Sequence, residues 1–295
     1  MRWTAVSHRL AAVALVVATG DAGVVAGTRL RPETSQAWDR YVAAVEQRRA
    51  DESRDPARFF AMDFLPDAAA DRQTVLAGGI VIEPVRAAGG GGRSIDVPSA
   101  MVHHWRGAIF LPHVDLAHLM ATLETKAPPT GPDILRAAVL ERSPGAMRVF
   151  LRLQRTRIVT VVYDTEHRVT FAHENPTRAS SVSVATKIAE VANAGARDEY
   201  EREPGDDHGF LWRLRAYWRY EAVDGGVIAE CESISLSRDV PFGLQTIAGP
   251  LITRTARESM TRTLEQIREI GLQATGHGPQ ATATGSRGRH LTRRA

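Results

Sequence analysis

Alternation of apolar and polar side chains is strongest in residues 207–239, which predict two long strands joined by a tight turn. Apolar side chains fill every second position of the first strand, at Phe210, Trp212, Leu214, Ala216, Trp218 and Tyr220. The same face of the second strand carries small side chains, at Val227, Ala229, Cys231, Ser233 and Ser235. Asp224-Gly225-Gly226 suits the positive φ angles of a short hairpin turn. This face of the sheet has room for another element to pack on it.

A long amphipathic helix follows the two strands, beginning near Phe242 or Pro250 and ending near Leu272. Its apolar side chains share one stripe, at Ile252, Ala256, Met260, Thr263, Ile267 and Ile270. A stripe of this kind has to be buried against another element. We expect the helix to pack on the face with the small residues.

The residues before the hairpin predict mainly strands. A strand is expected at 102–111 and a helix from Pro112, and the prolines of 128–132 interrupt the pattern before a short helical turn at 133–135. Five further strand candidates follow, at about 136–143, 147–155, 157–163, 167–173 and 180–191. A turn is expected at 164–166. Consecutive strands without helices between them predict an antiparallel sheet.

Residues 1–26 have the pattern of a secretory signal peptide. Arg2 and Arg9 precede an apolar run from Leu10 to Ala18, and the small residues around Ala26 suit a cleavage site. An uncleaved anchor and a misassigned start codon are the alternatives, and the apolar run is short for a membrane span. We expect an exported protein, periplasmic or extracellular.

The segment before the main domain predicts an extension that packs on that domain, because it offers too little apolar surface to fold alone. A helix begins at Pro32 and ends near Arg49, residues 74–85 resemble a strand, and Gly89 to Gly92 form a flexible joint. The expected divisions are a leader at 1–26, the extension at 27–97, the main domain at 98–273 and a disordered basic tail at 274–295.

Composition excludes a few classes of protein. The 295 residues are 43% hydrophobic, which is enough for a core, and the single cysteine excludes an internal disulfide and a multi-cysteine metal site. The net charge is +3, and nearly all of the positive charge is arginine. Much of the excess of positive over negative charge lies at the two ends of the chain. The sequence shows no nucleic-acid motif, phosphate loop or dinucleotide fingerprint. We expect no nucleic-acid partner, no metal and no cofactor.

The order of elements and four sequence segments resemble the START-like superfamily, which includes polyketide cyclases and coenzyme Q-binding proteins, and within it a group of exported bacterial members. The segments are VHHWRGAIFLP at 102–112, TVVYDTEHRV at 160–169, DDHGFLWRLRAYWRYE at 206–221 and CESISLSRDVP at 231–241. The resemblance covers about residues 98–272. It implies an α+β helix-grip fold, in which a curved antiparallel sheet wraps around a long C-terminal helix and encloses an apolar cavity.

The leading functional hypothesis is a binding or carrier protein for a hydrophobic ligand such as a lipid, a quinone or a polyketide-like molecule. Residues expected to line its cavity are Trp105, Phe210, Trp212, Leu214, Trp218, Tyr220 and Met260. Transient contact with a membrane is compatible with this role, and the sequence does not indicate an oligomeric state. A structural domain whose cavity is filled by its own side chains is one alternative.

A cyclase or hydrolase is the other alternative, with His104, Glu166 or His167 as a general base in the cavity. His103 and His104 are adjacent on a strand, so they point to opposite faces. Glu166 and His167 are expected beside a turn, where solvated capping residues are common. Cross-strand ion pairs on the outer sheet surface account for the remaining charges of this region, at Arg213, Arg215, Arg219, Glu230 and Glu232.

Overall fold

A computed structural model of the chain describes residues 29–88, 93–156, 160–239 and 245–274. The expected leader, the glycine joint and all but the first residue of the expected tail lie outside the described residues. The third strand candidate of the run, 157–163, is described from Thr160 onward.

Four α-helices, one 3₁₀ turn and nine strands make up the described part of the chain. The helices are α1 (Pro32–Glu52), α2 (Ala68–Leu76), α3 (Leu116–Thr125) and α4 (Gln245–Ala274), and the 3₁₀ turn is Ala61–Phe64. The strands are β1 (Ile80–Pro84), β2 (Ala100–Pro112), β3 (Ile134–Ser143), β4 (Ala146–Thr156), β5 (Thr160–Asn175), β6 (Arg178–Ala192), β7 (Tyr200–Glu201), β8 (Arg213–Val223) and β9 (Gly226–Arg238). In these ranges no helix has both the length and the apolar character needed to cross a membrane.

The strands form one antiparallel sheet in the order β1-β2-β9-β8-β6-β5-β4-β3, with β7 beside β6. Strand β2 pairs with β9 over its full length, from Ala100 opposite Arg238 to Pro112 opposite Gly226. The β8–β9 hairpin turns at Gly225, which has a φ of +81°. A single antiparallel sheet packed on a long C-terminal helix confirms the α+β helix-grip fold expected from the sequence.

Helix α4 packs on the inner face of the sheet, over β2 and β9. Its side chains Met260 and Leu264 are buried in one core with Val227 and Ala229 of β9. Gly107 of β2 permits this approach, because a Cβ atom there would lie 2.8 Å from Leu264 Cδ1 and 3.0 Å from Met260 Cγ. The helix therefore covers the face with the small residues.

Helix α1 packs on the outer face of the same sheet. Its stripe Trp38, Tyr41, Val42 and Val45 is at most 4% exposed and forms one core with residues of β8 and β9. Burial of a large apolar side chain stabilises a fold by about 1.5–3 kcal/mol. The extension is therefore part of the folded unit, covering the sheet on the side opposite α4.

Charged groups lie buried between α1 and the sheet. Glu232 of β9 is 1% exposed and is hydrogen-bonded to Arg48 of α1, and Arg219 of β8 is 5% exposed and donates to Glu52 of α1 at 2.8 Å. The prediction that these charges sit on an outer surface was wrong, because the extension covers them. Arg219 lies opposite Glu230 in the β8–β9 register, yet its guanidinium bonds to the helix.

Strand β5 passes straight through residues 164–166, where the sequence predicted a turn. Asp164 is a turn-forming residue type, but here Arg152 of β4 donates to its carboxylate through Nε at 2.8 Å and Nη2 at 2.7 Å. A bidentate pair of this kind satisfies a carboxylate inside a strand. The turn prediction was wrong because the partner comes from a neighbouring strand.

Two further boundaries differ from the sequence prediction. Residues 133–135 form no helix, since Ile134 already begins β3. The expected strand at 74–85 is shorter, because α2 continues to Leu76 and β1 begins at Ile80. Gly78 between them has a φ of +90°, a conformation that ends the helix at little cost for glycine.

Candidate ligand-binding cavity

A cavity of about 1160 Å³ lies between the inner face of the sheet and α4. Most of its wall is apolar, and representative side chains are Val149, Leu151, Leu153, Trp218, Met260 and Ile270. Small-molecule sites typically measure about 300–1,000 Å³. The cavity is large enough for a ligand of lipid or polycyclic size.

Small side chains on β9 leave this space open. Four successive inward positions of β9 carry Cys231, Ser233, Ser235 and Ser237, and all four line the cavity. Further toward Gly226 the inward residues are apolar and pack in the core with α4. Packed interiors have few voids larger than a water molecule, so a strand of short side chains beneath a helix leaves a volume that another group can fill.

The segment between α3 and β3 borders the cavity and is tied to α4. We call residues 127–133, which all line the cavity, the proline strap. Gln266 Nε2 donates to the Pro129 carbonyl oxygen at 2.7 Å, and Arg262 Nε donates to Asp133 Oδ2 at 2.8 Å. These two bonds join the strap to successive turns of the helix.

Six of the seven residues expected to line the ligand site lie on this wall, at Trp105, Phe210, Leu214, Trp218, Tyr220 and Met260. Trp212 does not, and its placement in the cavity was wrong. It packs with the core of α1 on the outer face. Regular strand geometry begins only at Arg213, and Gly209 has a φ of +70°, so the alternation of β8 does not extend back to Trp212.

Two of the three candidate general bases point away from the cavity. His104 is buried on the outer face, with Nε2 2.6 Å from Glu232 Oε1 and Nδ1 2.8 Å from the Tyr41 hydroxyl, beside a second cavity of about 310 Å³. Glu166 lies 3.6 Å from the Arg148 guanidinium, outside the larger cavity. The prediction that either residue reaches this cavity was wrong, because adjacent strand positions alternate.

His167 is the candidate that faces the cavity, and it is 4% exposed. Its Nε2 lies 3.0 Å from Thr165 Oγ1 and its Nδ1 lies 3.2 Å from Ser183 Oγ. It sits at a bulge, since Glu166 pairs with Lys187 while His167 pairs with Ala185. Burial lowers the pKa of His167 to about 4, so the imidazole is neutral at neutral pH.

Two further titratable groups on the cavity wall, Tyr220 and Cys231, are also neutral at neutral pH. Burial raises the pKa of the Tyr220 hydroxyl and of the Cys231 thiol far above their ordinary values. The charged side chains on the described wall are exposed or half-buried, at Lys126, Asp133, Arg155, Arg238, Asp239, Arg262, Glu265 and Glu269. Within the described ranges no three histidine, cysteine or acidic residues are grouped to hold a metal ion. The interior therefore suits an uncharged molecule.

Sequence reasoning missed the hydroxyl groups that surround His167. Thr165, Ser181 and Ser183 all lie on the inner face, and the last two line the cavity. His103 also faces inward, with Nε2 3.0 Å from Ser237 Oγ. The alternation of serines along β6 was the available signal, but their partners lie on other strands.

A sheet that holds a terminal helix over a cavity is the helix-grip arrangement. No protein-family model matches the sequence, and a search of curated proteins found no match.

Several solved structures are similar in fold. Human STARD10 shares 7% identity with a TM-score of 0.42, covering 66% of this chain and 70% of that one. The STAR-related lipid transfer protein of Xanthomonas axonopodis shares 12% identity, with a TM-score of 0.38 over 63% and 98% of the two chains. The Zhui aromatase/cyclase of Streptomyces sp. R1128 shares 10%, with a TM-score of 0.38 over 59% and 97%. At these identities no ligand or activity carries over to this chain.

Proposed function

We propose that the protein binds a hydrophobic small molecule or lipid between its sheet and α4, and acts as a carrier. The observation that carries this proposal is the cavity of about 1160 Å³, with its mostly apolar wall and its neutral His167. Burial of apolar ligand surface contributes about 25 cal/mol per Å². A long or polycyclic ligand can therefore bind with few polar contacts.

Two observations favour this function over the alternatives. A domain filled by its own side chains would leave no space of this size. A general base works best with a pKa near the operating pH, whereas that of His167 is lowered to about 4. Both of its ring nitrogens are also engaged with hydroxyl groups. His167 is better suited to hold a polar contact than to remove a proton.

Native mass spectrometry of protein purified from its own host tests the carrier function. We expect a bound hydrophobic molecule that denaturation releases. Ala216→Trp, which puts an indole into the cavity, should lower its occupancy about tenfold or more through overpacking. Leu135→Trp is the matched control, since Leu135 is 44% exposed and lies outside the cavity wall. A folded wild-type protein that is always empty, and that binds no added lipid, would contradict the proposal.

We further propose that the carrier works outside the cytoplasm. The support is the charged and apolar pattern of residues 1–26. A reporter fused after residue 27 should be exported, and deletion of Leu10 to Ala18 should abolish that export. A reporter that stays in the cytoplasm with the intact leader would refute this part of the proposal.

A further inference from the structure

The hydroxyl of Thr165 fixes which nitrogen of His167 carries the proton. Thr165 Oγ1 donates its only proton to the Leu151 carbonyl oxygen at 3.0 Å. Its oxygen must therefore accept the bond from His167, whose Nε2 lies 3.0 Å away. The neutral imidazole is thus protonated at Nε2 and bare at Nδ1.

The bare Nδ1 then fixes the hydroxyl of Ser183. Ser183 Oγ lies 3.2 Å from Nδ1, and a serine hydroxyl has a single proton. Because Nδ1 can only accept, Ser183 donates that proton to it. The Ser183 oxygen is left with lone pairs and no proton to offer.

Ser183 presents these lone pairs in an apolar part of the cavity wall. It faces Ala216 on β8 and Val169 on β5 in the strand register, and all three line the cavity. An acceptor in such surroundings favours a partner that brings a proton. A carbonyl or ether oxygen placed there would meet another lone pair.

We propose that the cavity selects a hydrophobic molecule with a hydroxyl group, an alcohol or a phenol, which donates to Ser183 Oγ. His167 is the positioning residue that holds the proton of Ser183 away from the ligand. The inference deepens the proposed function and rests on it. It names a chemical class within hydrophobic ligands, since ketones, ethers and hydrocarbons of the same shape lack the donor.

Three matched probes test this selectivity by competition with a bound fluorescent lipid at pH 7. 4-Dodecylphenol donates and accepts, 4-dodecylanisole only accepts, and dodecylbenzene does neither. We expect the phenol to bind about 3- to 10-fold more tightly than the anisole, the range of one net hydrogen bond. The anisole should bind no better than dodecylbenzene.

Variants locate the effect at Ser183. Ser183→Ala should remove the preference for the phenol and leave the affinity for dodecylbenzene within about twofold. Ser235→Ala is the matched control, because Ser235 also lines the cavity but belongs to β9 and lies outside this chain of bonds. It should keep the preference.

Substitutions of His167 test whether it orients the Ser183 proton or only supports the fold. His167→Phe frees the Ser183 proton, so the anisole should gain affinity and the preference should shrink or reverse. His167→Asn, whose Oδ1 can accept in place of Nδ1, should restore the preference for the phenol. A purely structural histidine would lower the affinity for all three probes alike.

The outcomes of these experiments distinguish failure of the hydroxyl selectivity from failure of the proposed carrier function. Equal binding of the three probes, or a preference for the anisole, overturns the hydroxyl selectivity while the carrier function stands. A preference that survives Ser183→Ala overturns the role of Ser183. Failure of the folded wild-type protein to bind any of the probes or the fluorescent lipid overturns both.

Discussion

Two carboxylates on one face of β9 show how strongly the neighbouring side chains determine the pKa of a buried acidic group. Burial raises the pKa of Glu232, but hydrogen bonds and charges from His104 and Arg48 outweigh it and hold that pKa far below its ordinary value. Burial raises the pKa of Glu230, and the charge of Arg219 only partly offsets it. Glu232 is therefore ionised, and it ties α1 to the sheet through Arg48.

Glu232→Gln is expected to destabilise the fold by about 3 kcal/mol at pH 7, because it removes the buried charge that pairs with Arg48 and Arg49. The folded pKa of Glu232 lies below the unfolded value near 4.5. Its stabilisation is therefore complete well above pH 4.5 and declines as the pH falls below it. Urea denaturation at pH 7 and pH 3.5 should show the gap between variant and wild type narrowing in acid.

Glu265→Gln is the control for this measurement, because Glu265 is an exposed carboxylate of α4. It should change the free energy of unfolding by less than about 0.5 kcal/mol at either pH. A gap between Glu232→Gln and wild type that stays constant with pH would show that the carboxylate charge does not stabilise the fold.

At the scale of elements, contact between β2 and α4 sets one boundary of the cavity. Gly107 lets the helix approach the sheet at Met260 and Leu264, while the serines of β9 leave space beside that contact. The close approach of α4 to β2 gives a packed core, and the short side chains of β9 beside it leave a cavity. Position 107 is therefore a point of close approach between the helix and the sheet.

Gly107→Ala should destabilise the protein by about 1–3 kcal/mol through overpacking, because its methyl group would meet Leu264 and Met260 within 3.0 Å. Gly131→Ala is the matched control, since a Cβ atom there has no neighbour within 4 Å. Thermal unfolding of both variants measures the difference. Equal melting temperatures would show that α4 can move away without loss.

Elements with their own periodicity were predictable, and contacts between distant elements were not. The β8–β9 hairpin and α4 follow from alternation and a helical stripe within one segment. The strand through Asp164 depends on Arg152, which belongs to another strand. The candidate site is also predictable only in part. Its cavity wall follows from alternation within single strands, whereas the role proposed for Ser183 depends on how β5 and β6 place it beside His167.

At the scale of the molecule, the sheet is covered on both faces by parts of the chain far apart in sequence. Helix α4 covers the inner face and α1 covers the outer face, and β9 contributes residues to both interfaces. Two cores that share the strands of one sheet are expected to unfold cooperatively. We therefore expect the extension and the helix-grip region to unfold as one unit.

Trp38→Ala tests this expectation, because Trp38 is 2% exposed in the core between α1 and the sheet. It should destabilise the whole protein by about 3–5 kcal/mol and keep a single transition in differential scanning calorimetry. Arg40→Ala on the exposed side of α1 is the control and should leave the transition in place. Two separate transitions in Trp38→Ala would show that the extension is an independent unit.

The pairing of β2 with β9 also has a consequence for biosynthesis. Pro112 ends β2, while its partner β9 begins only at Gly226. At about 5–20 residues per second, a ribosome needs roughly 6 to 23 s to make the residues between them. During that time β2 can pair only with β1, over Trp105 to Ile109, and the rest of its length lacks a partner strand, so this is a stretch that a chaperone would shield. The cavity cannot close until α4, which follows β9 in the chain, has also been made.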